Sequence, residues 1–385
     1  MLRAGAQKDD VMWFRLGFAI LIVLVLGAPG VGAQDVEFAA QRNKMTFDMV
    51  QAGDMRGAFT MARMAVDANR ADLGEVHPEY AAGLYNLAAI HQMRGEFDAA
   101  EPIHRDALAI REAALGPDHP DVADSLMAIG ALHRDRDRPD AAESAMRRAL
   151  AIREAAAGGD SVDVAHSLGE LGRLLGGQQR YGEAADLLNR ALLFNQTAMG
   201  PSHLQVAADL DSIARLHQDQ KQYEAAASRY YRALLIRLGR FGDISPQVAA
   251  SLDVLGRLYV EKGDFAQAET FYKRSLETKQ KLVEPPHMAL AQALSNLAAV
   301  HGRQDRHAEA QPPQRQSLDM FEQLAGADHP FVARALDDLA ALFEAQDKMT
   351  EAEPLRRRHA RAAGPRVRAT RPGRRGGRGR NPRRW

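Results

Sequence analysis

The sequence predicts an all-α protein, an α-solenoid of repeated helix pairs, and three observations carry that expectation. The composition is 46% hydrophobic but only 6% aromatic, with Ala and Leu abundant, which suits close-packed helices better than β-branched, aromatic-rich sheets. A period of 42 residues runs through most of the chain. Within each period the apolar residues recur at helical spacing and fall on one face. Self-similarity of this kind takes precedence over any local motif.

Residues 1–33 read as an export signal. Basic residues precede the apolar run Leu16 to Leu26, and "GAPGVGA" follows, with Val31 and Ala33 ahead of Gln34. Cleavage is expected after Ala33. Met12 opens a tidier version of the same signal. The alternative is an uncleaved anchor, because Leu16 to Ala33 is uncharged and near the lower length limit of a membrane helix. In both cases the body lies outside the cytoplasm, periplasmic or secreted. The absence of cysteine suits such a compartment and excludes disulfides, thiolate metal sites and cysteine nucleophiles.

Residues 34–76, with "AGDMRGAFTMARMAV", read as a degenerate helix pair that caps the array. Seven units follow over 77–364, as 77–118, 119–160, 161–202, 203–244, 245–286, 287–328 and 329–364, opening on His77, His119, Ser161, His203, Ser245, His287 and His329. Four residues into each stands Ala (Ala81 to Ala333), and seven in stands Leu (Leu84 to Leu336). Ten in is Leu or Ile. Eleven in is always small: Ala88, Gly130, Gly172, Ala214, Gly256, Ala298, Ala340. These positions share one face of a helix, here termed helix A. The small residue admits a close neighbour, and a larger one would overpack the contact by about 1 to 3 kcal/mol.

A short polar turn comes next, as in "RGEF" at 94–97, "QQRY" at 178–181 or "KGDF" at 262–265. The second run, helix B, carries Ala at offset 23 in all seven units and Leu at offset 31 in six. In the first unit it should run to Leu115, where Gly116 and Pro117 stop it, and the next helix should start at Pro120 with Asp121 in its first turn. One unit looks soft: Gly169, Gly176 and Gly177 join Gly172 in the third helix A, and each costs about 0.8 to 1 kcal/mol against Ala inside a helix.

The helix A core "YNLAAIH" (85–91), the turn residues Gly95 and Phe97, Ala100, Ala107 and the joint "ALAIREAALGPDHPDVA" resemble tetratricopeptide repeats of the 42-residue type found in kinesin light chains. The resemblance covers about three quarters of the chain. It implies a right-handed superhelix of antiparallel helix pairs with helix A lining the concave side, and a role in protein–protein interaction.

Chemistry is sparse. Five of the 13 histidines open the units, and His91, His133, His217 and His301 share a column with Leu175, Tyr259 and Phe343, so that column is packing. No paired zinc spacing exists, and no HExxH, GxSxG, GxxxxGK[ST] or GxGxxG stands between a strand and a helix. The expectation is no catalytic residue, no metal and no cofactor.

Binding is expected in the groove, at helix A positions that escape the core. Offset 12 holds Arg173, Arg215 and Arg257 in consecutive units. If adjacent A helices lie ~10 Å apart, these span about 20 Å, roughly six residues of extended peptide, and guanidinium forks bind carboxylates bidentately. An acidic partner peptide follows from that. Arg215 and Arg257 each stand four residues after an Asp, which offers ordinary intrahelical pairing instead. The resemblance implies Asn at offsets 8 and 9 as peptide-holding residues; here only Asn86 and Asn296 match, with Tyr85 beside the first. The expected groove residues are therefore Tyr85, Asn86, Arg173, Arg215, Arg257 and Asn296.

The chain ends in charge. From Arg356 onward it holds 13 arginines and no acid, whereas Gln34 to Leu355 holds 34 basic and 48 acidic residues, a net of −14. Residues 365–385 have too few apolar groups to fold. The leading expectation is a non-catalytic scaffold that holds a partner protein or peptide. The alternative is a polyanion- or anionic-surface-binding module working through Arg374, Arg375, Arg378 and Arg380, with nucleic acid disfavoured by the export signal.

Overall fold

A computed structural model describes residues 31–157 and 161–362. Nearly all of the predicted signal and the whole basic tail, with Arg374, Arg375, Arg378 and Arg380, lie outside the described residues. Among the described residues there are sixteen α-helices and no strand. The first pair is α1 (Ala33–Gln51) and α2 (Met55–Leu73). Seven further pairs follow in register with the period: α3 (Pro78–Met93) and α4 (Phe97–Leu115), α5 (Pro120–Asp135) and α6 (Pro139–Ala157), α7 (Val162–Gly177) and α8 (Tyr181–Met199), α9 (Leu204–Asp219) and α10 (Tyr223–Phe241), α11 (Pro246–Lys262) and α12 (Phe265–Leu282), α13 (Met288–Arg303) and α14 (His307–Ala325), and α15 (Pro330–Glu344) and α16 (Met349–Ala362). No helix among the described residues is long and apolar enough to cross a membrane. The chain forms two compact units, one ending at Leu216 and the other beginning at His217.

Each helix pair starts and stops for local reasons. In α3, α5, α9, α13 and α15 the residue before the helix is a histidine. The Nδ1 atoms of His77, His119, His203, His287 and His329 accept the backbone N–H two residues on, at 3.1 to 3.2 Å. Ser161 and Ser245 accept the N–H three residues on, both at 3.2 Å. These side chains satisfy donors that a helix N-terminus otherwise leaves open. The opening histidines are thus helix caps. Gly116, at φ 91°, ends α4 where a side chain would strain the left-handed backbone.

The turn between helices A and B repeats as strictly. Its left-handed residue is always at offset 18: Gly95, Asp137, Gln179, Lys221, Gly263, Asp305 and Asp347, with φ between 56° and 86°. Only two of the seven are glycine.

The small column is as tight as its invariance implies. A Cβ on Gly130 would stand 2.7 Å from Met146 Cγ, and on Gly172 2.8 Å from Leu188 Cγ. On Gly256 it would stand 2.6 Å from the Tyr272 ring. Helix B therefore presses its offset-27 side chain onto the bare helix A backbone. The extra glycines do not interrupt α7, which is continuous to Gly177.

The last pair changes chemistry. Arg356, at offset 27, pairs with Asp337 and Glu344, and His359 Nδ1 lies 2.8 Å from the Ala333 carbonyl oxygen. Ser275 and Ser317 occupy the equivalent place and donate to the carbonyls of Ala249 and Ala291 at 3.2 and 2.7 Å. Ala352 still closes the core with Leu336, Leu339 and Phe343.

Candidate functional site

Within the first unit, the A helices line a cleft of about 390 Å³. From α3 come Tyr85, Ala89, Gln92 and Met93; from α5, Asp124, Met127, Ala128, Ala131, Arg134 and Asp135; from α7, Val162, Asp163, His166 and Glu170. Gln205 of α9 also lines it. The B helices supply His104, Met146, Arg153 and Asn195. The successive small residues at offset 12, Ala89 and Ala131, keep the α3–α5 part open and apolar.

Polar groups border this apolar stretch and are largely paired. Arg153, only 8% exposed, donates to the Asp163 carbonyl at 3.1 Å and Ser167 Oγ at 2.7 Å, and its other nitrogen reaches Asp124. Arg134 bridges Asp135 and Glu170, the latter at 2.8 Å, and Gln92 donates to Asp135 at 2.8 Å. His104 is different. It is 0% exposed and neither ring nitrogen has a hydrogen-bond partner among the described residues. Burial, with the Arg111 charge, lowers its pKa to about 4, so it is neutral at pH 7. Its ring meets the Tyr85 ring edge-on at 5.7 Å.

The predicted groove residues are distributed unevenly. Tyr85 lines the cleft but is buried, under the Arg111 guanidinium at 5.1 Å, and burial pushes its hydroxyl up to about 12. Asn86 donates to the Asn43 carbonyl at 3.2 Å, which ties α3 to α1. Arg173 pairs with Glu170 and donates to Ser212 Oγ at 3.3 Å, so both arms of its fork are engaged within the fold. Arg215 and Arg257 are exposed, one in each unit. The intrahelical partner expected for Arg257 is engaged elsewhere: Asp253 takes Lys279 Nζ at 2.5 Å and the Ser275 hydroxyl at 2.6 Å. Asn296 is half-buried and accepts from Gln292 at 2.9 Å. The cleft thus brings together Tyr85, residues of α5 and α7 that were not among the expected groove residues, and helix B residues that a reading of helix A alone passes over. The signal for Arg153 and Asn195 was present, since offset 34 reads Arg111, Arg153, Asn195, Arg237, Lys279.

A tetratricopeptide repeat family model matches six windows, residues 47–113, 79–155, 121–194, 163–238, 204–281 and 289–363. The chain belongs to the tetratricopeptide repeat family. Its fold is similar to the tetratricopeptide repeat sensor protein of the signal-transduction ATPase class from Pyrococcus horikoshii, with a TM-score of 0.62 at 12% identity, covering 84% of this chain and 46% of that one. The apo form of the quorum sensor NprR from B. thuringiensis aligns with a TM-score of 0.50 at 12% identity, over 85% of this chain and 99% of that one. The nearly identical TPR-like repeats of a Podosopora anserina kinesin light chain align at 19% identity with a TM-score of 0.48, over 55% of this chain and all of that one. No curated protein sequence matches. The tetratricopeptide repeat is commonly a scaffold for protein–protein contacts rather than a catalytic fold.

Proposed function

We propose that this protein is an exported, non-catalytic interaction scaffold that holds a partner protein or extended peptide in the cleft of its first unit. The observation that carries this reading is the cleft itself: helices A of three consecutive repeats line about 390 Å³ of mixed apolar and charged surface, the concavity that recognition of an extended chain requires. The half-buried alanines Ala89, Ala128 and Ala131 give a backbone room to lie against the helices. The export component rests on the sequence of residues 1–33.

Site-specific photo-crosslinking tests the proposal. A benzophenone side chain at Ala131, inside the cleft, should trap a discrete partner from the native envelope fraction. The same group at Arg190, exposed on helix B, should not. Equal labelling from both positions, or none from Ala131, refutes the assignment of the cleft.

A further inference from the structure

The chemistry of the partner follows from a break in one column, on the premise that the cleft is the binding site. In the first two repeats the residue at offset 34 is an arginine that joins helix B to the next helix A. Arg111 donates to the Asp121 carbonyl and to Ser125 Oγ, both at 2.9 Å, and Arg153 makes the same two bonds to Asp163 and Ser167. Each also reaches back into its own repeat, Arg111 over the Tyr85 ring and Arg153 to Asp124. In the third repeat the arginine is Asn195, and the serine it would meet is Asp209. The joint has lost one positive charge and gained one negative.

The short side chain leaves acceptors without donors. Asn195 is 2% exposed and donates Nδ2 to Asp209 Oδ2 at 2.7 Å, while its Oδ1 is buried with no donor among the described residues. Buried polar atoms in native proteins are almost always satisfied. Asp209 is buried as well, accepting only neutral amides, those of Asn195 and Gln205; burial raises its pKa. Arg173 acts on it through space, with its own fork on Glu170 and Ser212. Asp163, exposed on the cleft lining, has no ion-pair partner among the described residues. Where α3 and α5 carry Tyr85 and Met127, α7 carries Gly169, and a Cβ there would meet nothing nearer than Arg173 at 3.5 Å. Asn195, hydrogen-bonded to Asp209, and Asp163 thus line the same cleft as Ala89, Met93, Met127 and Ala131.

We propose that the cleft selects a segment of a partner protein in which a lysine or arginine stands close to an apolar side chain. The cation donates to Asn195 Oδ1 and faces Asp163, with the buried Asp209 behind Asn195, in the place that a repeat arginine holds elsewhere, while the apolar chain lies along Met93, Met127 and Ala131. This reverses the ligand charge expected from the offset-12 arginines.

A random heptapeptide phage library panned on the full chain tests this, with enriched sequences synthesised as fluorescein-labelled probes and read by anisotropy. Enriched peptides should pair Lys or Arg with Leu, Met or an aromatic residue. Replacing the cation by norleucine should weaken binding at least tenfold, and so should the double variant Asn195→Arg with Asp209→Ser. That variant rebuilds the joint of the first two repeats, so it is expected to fold, which a circular dichroism melt verifies. Acidic or neutral peptides that bind the cleft, as judged by loss on Ala131→Trp, would overturn the cationic assignment and leave the scaffold reading standing. So would cationic peptides that bind the double variant as well as the parent. Spermidine competing as tightly as the peptides would assign the site to a free polyamine. No enrichment, or enriched peptides indifferent to Ala131→Trp, would overturn the scaffold reading too.

Discussion

Alanine in place of glycine inside a helix ordinarily stabilises by about 0.8 to 1 kcal/mol, and the architecture predicts that Gly256→Ala does the opposite. An added Cβ would stand 2.6, 2.8 and 2.9 Å from three atoms of the Tyr272 ring, well inside normal contact. The ring is buried, packed with Ala268 and Val300, and has no room to retreat without moving α12. Overpacking of this kind costs about 1 to 3 kcal/mol, which exceeds the propensity gain and leaves a net loss of about 1 kcal/mol, up to ~2. Gly169→Ala is the control. Its Cβ would meet only Arg173 Nη1 at 3.5 Å, so it should gain close to the full propensity term. The two substitutions, chemically identical, should differ in sign. Because repeat arrays unfold in parts, the measurement is native-state hydrogen exchange resolved to α11–α12 and α7–α8, supported by urea unfolding. Adding Tyr272→Leu to Gly256→Ala should recover part of the loss, as a coupling between touching residues. If Gly256→Ala stabilises α11–α12 as much as Gly169→Ala stabilises α7, the close approach of helix B is not what keeps that column small.

Three further outcomes follow from the same geometry. His104, whose folded pKa of about 4 lies below the unfolded value of 6.5, holds fewer protons folded than unfolded between those limits, so the fold loses stability as the pH falls from about 6.5 towards 4, on the order of 3 kcal/mol. His104→Leu should flatten that acid slope in urea titrations at stepped pH and raise stability at pH 7 by removing two unpartnered nitrogens, and an unchanged slope would exclude His104 as its source. Gln179→Gly and Lys221→Gly should each stabilise by about 1 kcal/mol, since both residues hold left-handed φ without the tolerance for it that Asp has. Asp137→Gly should gain less, so equal melting shifts for all three would contradict the strain argument. Arg153→Met should cost about 2 to 4 kcal/mol by stranding Asp124 and Ser167 in a buried joint, and Arg153→Met with Asp124→Leu should recover most of it; a negligible loss by chemical denaturation would mean the arginine joints are ornamental.

The period, the helix pairs and their ends were all legible in the residues, because each is a local matter. Pro120 and Gly116 mark helix boundaries, the Ala and Leu columns mark one face, and a 42-residue repeat leaves neighbouring faces no partner except each other. The cap role of His119 was less visible, since histidine serves packing, metals and catalysis equally well by composition. What tertiary structure alone decided is partnership. Whether Arg173 is a free clamp or the counter-charge of Glu170 depends on side-chain distances that no spacing rule contains. Likewise Asp253 could have met Arg257 four residues on, but Lys279, 26 positions away in sequence, comes to 2.5 Å. The cleft belongs to the same class: it is assembled from helices A and B of successive repeats, so Asn195 acquires its meaning only when its Oδ1 is seen to be buried without a donor at the position where the neighbouring joints carry an arginine.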